Sequence, residues 1–138
     1  MKLKYLLDTN VVSEPLRPKP APGTIRRLRR HAGEIAIPSI VWHELRFGCC
    51  RLAASRRRKA IERYMDEVVS ANVPILDYDR AAADWHARER ARLEASGRTP
   101  PFIDGQIAAI ARVADLILVT SNKADFKPFE GLRVQSWA

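Results

Sequence analysis

The sequence predicts an α/β protein built on a central, mainly parallel sheet of about five strands flanked by helices. Two observations carry that expectation. Short apolar runs of strand length alternate with longer amphipathic segments along the whole chain, and most connections between successive strands are long enough for crossovers. No repeat, low-complexity tract or interior linker divides the chain, so residues 1–138 are expected to form one domain, with ample length for a real core.

Each element has a local reason. Residues 2–7 read as a buried first strand, and residues 10–16 as a brief helix stopped by Pro15 and the proline-rich run PLRPKPAPG. Residues 24–31 form a basic helix carrying Arg26, Arg27, Arg29 and Arg30. Residues 34–37 are a second strand ended by Pro38, and Ser39 is placed to cap the helix IVWHELRFGCCRL. Residues 57–70 are helical, with Ile61, Tyr64, Met65 and Val68 on one stripe, and residues 73–76 are a third strand. Asp79 can cap a long helix through about residue 95, with Ala82, Trp85 and Leu93 inward and Arg88, Glu89, Arg90, Arg92 and Glu94 on a solvated face. Pro100 and Pro101 open the helix FIDGQIAAIARVA, residues 116–120 are a fourth strand and residues 132–135 a fifth.

Composition narrows the function. Hydrophobic residues are 46% and charged residues 29% of the chain, which excludes a disordered or fibrous class. No apolar run approaches the ~20 residues of a membrane span. Asp8 interrupts the first apolar run too early for a secretory signal, so a cytoplasmic location without a membrane partner is expected. Adjacent Cys49 and Cys50 cannot readily bridge each other within a helix, and read as two small buried thiols. Lys and Arg number 24 against 16 Asp and Glu, and the resulting +8 suggests a polyanionic partner such as nucleic acid. Residues 26–30 and 51–59 are the basic clusters, and the sequence does not divide them between RNA and a protein partner. Trp42, Phe47 and Tyr64 mark either a plain core or an apolar groove for a partner helix.

Four carboxylates carry the chemistry. Ligands of open parallel sheets bind beyond the carboxyl ends of the strands. Asp8 follows the first strand and Asp125 lies in the loop after the fourth. Glu44 shares a helix face with Ile40 and Gly48, and Asp104 heads the apolar stripe of Ile107, Ala108 and Ala111. One acid on a core-facing stripe is ordinarily a cap or an arginine partner. Four near one sheet edge repel one another unless a cation neutralises them. Hard oxygen ligands without a His or Cys cluster select Mg²⁺, with Mn²⁺ as substitute. Such a metal can hold a phosphate oxygen and activate water, so the carboxylates and the basic charge together point to phosphodiester cleavage.

The stretches LLDTNVVSEPLRP, VWHELRFG, FIDGQIAAIA and LVTSNKADF resemble, in order and spacing, the motifs of PIN-domain ribonucleases of the VapC and FitB toxin type. The resemblance implies a PIN-like three-layer fold and a Mg²⁺-dependent endoribonuclease. It also implies a toxin of a type II toxin–antitoxin system, cutting RNA with a metal-activated water to leave a 5′-phosphate and a 3′-hydroxyl. It further implies inhibition by a small cognate antitoxin, contact with DNA only through that antitoxin, and a homodimer. Asp8 and Asp104 match the direct metal ligands, and Glu44 the acid that completes the shell or helps activate the nucleophile. The fourth acidic role falls to Asp125, since Asn122 supplies no charge. Thr9, Asn10, Thr120 and Asn122 are expected to support the site or orient substrate.

Two rival readings remain. One is a non-catalytic RNA- or partner-binding module on the same scaffold. The other is a phosphohydrolase using Asp8 as nucleophile, weakened by the absence of a second aspartate in Asp8-Thr9-Asn10. His31, His43 and His86 are scattered and expected at the surface or in partner contacts. Asp77 reads as a loop acid, and Glu14 as a cap or arginine partner.

Overall fold

The computed structural model describes residues 2–138; Met1, the first residue of the expected domain, lies outside the described residues. The chain runs β1 (Tyr5–Leu7), α1 (Thr9–Val12), a 3₁₀ turn (Glu14–Leu16), α2 (Pro22–Arg30), β2 (Ile35–Pro38), α3 (Ser39–Cys50) and α4 (Arg56–Arg63). It continues through a π-helical turn (Tyr64–Val69), α5 (Ser70–Asn72), β3 (Ile75–Leu76), α6 (Arg80–Ala95), α7 (Phe102–Val113), β4 (Ile117–Val119), α8 (Lys123–Phe126) and β5 (Val134–Gln135). The strands form one sheet in the order β3-β2-β1-β4-β5, and every pairing is parallel. Among the described residues, no helix is long and apolar enough to cross a membrane.

Strand order decides where a site can lie. From β1 the chain steps outward to β2 and β3, then returns to the other side of β1 to place β4 and β5. The order therefore reverses between β1 and β4, and the crevice at their carboxyl ends is the natural ligand site of an open parallel sheet. Tyr5, Leu6 and Leu7 pair with Ile117, Leu118 and Val119, and all but Ile117 are buried. A central parallel strand covered on both faces reads as such a continuous apolar run.

Several local expectations are corrected. The first strand starts at Tyr5, where β2 and β4 first offer partners; Lys2 and Lys4 are exposed. The expected helix over residues 10–16 splits into α1 and a 3₁₀ turn, because Pro15 has no N–H to continue it. Pro38 takes the capping position before α3, so Ser39 is its first residue and no side chain caps it. The helix through residue 70 contains the π turn, whose extra residue shifts the inward stripe. Val69 is therefore buried, whereas Val68 is 47% exposed. Cys49 is buried but Cys50 is exposed, and both thiols are free.

The α6–α7 contact departs furthest from expectation. Asp79 caps α6 as expected, accepting from the Ala82 N–H at 2.9 Å. Its inward face is Ala82, His86, Glu89 and Leu93, all buried, while Trp85 is half-buried. Their four-three-four spacing is a helix stripe that the polar side chains conceal. Glu89 accepts from Arg92 at 2.6 and 3.1 Å and from the Glu130 N–H at 2.7 Å. The Arg92 hydrogen bond leads in holding its carboxyl below the usual range, with the Glu130 N–H also contributing. His86 Nδ1 meets the Tyr78 hydroxyl at 2.8 Å, its ring lies 4.8 Å from that of Phe102, and burial followed by the Arg90 charge holds it below the ordinary histidine range.

Gly105 makes this approach possible: a Cβ there would stand 2.2 Å from His86 Nε2. Gly105→Ala should therefore push α7 off α6 and destabilise the fold by about 1–3 kcal/mol in urea denaturation, the range for overpacking. His86→Ala in the same chain should recover part of that loss, a coupling that measures the contact.

Candidate functional site

Asp8 and Thr120 are the residues immediately after β1 and β4, so the β1–β4 register sets them side by side. The Asp8 N–H extends the ladder by donating to the Val119 carbonyl at 2.9 Å. The Asp8 carboxylate caps α1, Oδ1 accepting from the Thr9 N–H at 2.8 Å. Its Oδ2 accepts from the Thr120 hydroxyl at 2.8 Å. Thr120 is fully buried and its oxygen also accepts from the Asn122 N–H at 3.1 Å. Both oxygens of Asp8 are thus oriented by groups that are themselves fixed.

Asp104 is the third residue of α7, on its half-buried first turn. Burial, then the charges of Asp125 and Asp8, holds its carboxyl above the usual carboxylate range. Asp125 on α8 and Asp8 at the end of β1 are therefore close enough for their charges to act on Asp104. None of the three has a lysine or arginine within ion-pair distance among the described residues. Glu44 lies on α3, which begins at the same sheet edge and packs against α1 and α7, and its Oε1 is 3.8 Å from His43 Nδ1.

The expected supporting residues act unequally. Thr9 and Asn122 contribute their backbone N–H groups, Asn10 Nδ2 donates to Ser121 Oγ at 3.3 Å, and Thr120 alone reaches a carboxylate with its side chain. Ser121 was not singled out in the sequence; its place beside Thr120 was the available signal. Glu14 is buried, with Oε2 at 3.3 Å from Arg17 Nε, and borders a small cavity with Asn10 and Thr120. Of the histidines, His43 is exposed as expected, His31 is half-buried against Glu34 at 2.8 Å, and His86 is buried.

Among the described residues, no three Asp, Glu, His or Cys side chains close into a ready metal cage. The chemistry of the set nevertheless fits a hard divalent cation. Its donors are carboxylate oxygens, and the raised Asp104 carboxyl reports repulsion that a cation would relieve.

An all-parallel sheet with acids at its switch point defines an α/β domain suited to metal-assisted phosphoryl chemistry. Residues 5–131 match the PIN domain family, and the chain belongs to it. It is 35% identical over 136 residues to the tRNA(fMet)-specific endonuclease VapC of Shigella flexneri, covering 99% of each chain. It is 30% identical over 124 residues to toxin FitB of Neisseria gonorrhoeae, covering 88% of this chain and 89% of that one. The structure of DNA-bound VapBC from Salmonella typhimurium superposes with a TM-score of 0.84 at 28% identity, covering 99% of each chain. The relatives are named as ribonucleases and toxins, and ribonucleases of this family are generally dependent on divalent metal.

Two outcomes follow from the geometry. Thr120→Val keeps the shape but strands Asp8 Oδ2 and the Asn122 N–H, and should cost about 1–3 kcal/mol of stability, with loss of RNA cleavage beyond that explained by unfolding. Asp104 binds its proton more tightly folded than unfolded, so its contribution to stability falls as pH rises through the carboxylate range. Without divalent metal, Asp104→Asn should therefore raise the melting temperature at neutral pH. The gain should vanish below the ordinary Asp range, as a melting series against pH would show.

Proposed function

We propose that this chain is a Mg²⁺-dependent endoribonuclease, with Mn²⁺ as substitute, acting as the toxin of a cytoplasmic type II toxin–antitoxin pair. The observation that carries the reading is the placement of Asp8 at the β1–β4 switch point, its carboxylate held by the Thr120 hydroxyl and the Thr9 N–H. Asp8 and Asp104 would hold the metal, Asp125 would add negative charge at the rim, and Glu44 would complete the shell from α3. A divalent cation there supplies neutralisation of a phosphate oxygen and acidification of water.

The chain's own groups do the positioning. Thr120 and the Thr9 N–H keep the Asp8 oxygens in one orientation, so the carboxylate loses no rotamer freedom when it engages. Asn10 and Ser121, linked across the edge, offer an amide and a hydroxyl to a phosphate or ribose beside the acids. Asn122 supplies no charge and adds its N–H behind Thr120.

The VapC relative is named for cleavage of initiator tRNA, so a structured RNA of that kind is the first substrate to try. The VapBC relative is a complex bound to DNA, which supports a cognate antitoxin that carries the DNA contact here as well. The antitoxin helix would seat in the apolar cavity of about 700 Å³ bordered by Val12, Ile25, Leu28, Tyr64 and Val68. Of the three aromatic residues expected around such a groove, Tyr64 lines it, whereas Trp42 and Phe47 do not. Burial pushes the Tyr64 hydroxyl up to about 12, and it donates to the Val12 carbonyl, so it stays neutral as part of the groove wall. A homodimer is part of the same proposal.

Purified, antitoxin-free protein should cut RNA in the presence of Mg²⁺ or Mn²⁺ and lose the activity in EDTA. Asp8→Asn and Asp104→Asn should each lower the rate by at least about 100-fold, the scale of losing charge stabilisation in a transition state, while circular dichroism shows the fold retained. Unchanged cleavage in either folded variant would remove that residue from the metal site. Absence of cleavage by the parent protein would favour the non-catalytic binding module.

A further inference from the structure

We infer that the substrate RNA backbone leaves the carboxylate edge along a groove to the arginines of α2, and that this cluster, rather than that of residues 51–59, is the RNA anchor. The inference rests on the ribonuclease reading but names a surface that reading leaves open. It stands on three neighbouring cavities that share wall residues. The first, about 30 Å³, is bordered by Asn10, Thr120 and Ser121 at the acid edge and by Ser136 and Trp137 beyond it. The second, about 370 Å³, shares Ser136 and Trp137 and adds Lys123 and Arg27. The third, about 910 Å³, shares Arg27 and Trp137 and is otherwise bordered by Gly23, Arg26, Arg29, Arg30 and Ala138. Residues that orient or adjoin Asp8 thus share wall residues, Ser136, Trp137 and Ala138, with the surface that the cations line.

Charge selects the occupant. Pro22–Arg30 contains four arginines and no acid. Neither these arginines nor Lys123 forms an ion pair among the described residues. Arg27 Nη1 donates to the Ser136 carbonyl at 3.0 Å, which holds the groove wall and leaves its charge unneutralised. Glu14, at the acid end, already has Arg17 beside it. In the other cluster Arg58 bonds Glu62 at 3.0 Å and the Leu52 carbonyl at 2.9 Å, and Arg51 lies over the Phe47 ring. Arg56, Arg57 and Lys59 form no ion pair among the described residues, so position rather than freedom of charge separates the two clusters. Residues 51–59 border none of the three neighbouring cavities. A row of free cations spaced along an open groove suits successive phosphates of a single strand, whose binding is driven by counterion release.

The test compares two triple variants of equal charge change. One is Arg26→Gln, Arg30→Gln and Lys123→Gln; the other is Arg56→Gln, Arg57→Gln and Lys59→Gln. Binding of an unstructured RNA of about 20 nucleotides is measured in EDTA against salt, so that no cleavage intervenes, and melting curves confirm folding. Each lost phosphate contact should lower the slope of log affinity against log salt by about 0.7. The groove variant should therefore lose about 2 from the slope and at least tenfold in affinity at low salt, with the other variant close to the parent. Where the parent protein cleaves RNA, the groove variant should raise KM and leave kcat nearly unchanged.

Equal losses in both variants would overturn the assignment in favour of diffuse charge attraction. An unchanged groove variant would overturn it outright, as would unchanged RNA binding with lost affinity for poly-glutamate, which would mark α2 as a site for an acidic protein segment. Because binding is read without metal, these results stand whether or not the parent protein is a nuclease. Failure of that reading shows separately, as absence of metal-dependent cleavage.

Discussion

The pairing of β1 with β4 is the constraint on which the rest of the site depends. It joins segments more than a hundred residues apart and fixes their register, so that Asp8 and Thr120 leave the sheet together. The contact between them uses the carboxylate oxygen that capping α1 leaves free. One side chain therefore ends a strand, starts a helix and faces the crevice. Nothing flexible intervenes: Thr120 is fully buried, and the ladder continues through the Asp8 N–H. A site anchored on strand ends in this way is better oriented than one hung on a loop.

The acids gathered there work against the fold. Asp104 sits partly out of water on the first turn of α7, near Asp125 and Asp8, and its carboxyl resists ionisation for those reasons. Its place at a helix N-terminus offers some relief, worth typically less than about 1 kcal/mol. An arginine would neutralise the cluster more fully, but none approaches it among the described residues. Elsewhere the same chain does answer a buried acid with an arginine: Glu89 has Arg92 and a backbone N–H. The contrast between Glu89 and Asp104 separates a carboxylate answered by an arginine from one with no basic partner at ion-pair distance among the described residues.

The architecture was legible because its signals are local and strong. Strand-length apolar runs, Pro15, Pro38 and Pro101, and the cap at Asp79 each act within a few residues. Asp8 and Asp125 could be expected at one edge because a parallel sheet sends its strand ends there, while Asp104 was marked by the apolar helix stripe that it heads. What stayed hidden depends on partners remote in sequence. His86 and Glu89 look like solvent-facing polar residues until Gly105 and the Glu130 N–H supply a small surface and a donor. The π turn moves burial from Val68 to Val69, a change that periodicity cannot register. Glu44 shows the limit in the other direction, since its helix face was legible but its distance from the other acids depends on how α3 packs.

A cluster of carboxylates that must receive a polyanion faces an electrostatic contradiction. Like charges meet, and the phosphate would be repelled before any cation at the site could hold it. Arginines placed against Asp8 or Asp104 would solve the approach but would also pair with the carboxylates and compete with a metal for them. The chain separates the two charges instead. Arginines without an ion pair among the described residues lie along α2, on a surface that shares Trp137 and Ala138 with the cavity beside Asn10 and Thr120, and out of ion-pair reach of Asp8, Asp104 and Asp125. Charge–charge interaction decays over about 8 Å in physiological salt, so cations that do not pair with the acids attract the strand without neutralising them. The +8 balance is thus compatible with an acidic site because the excess lies away from it.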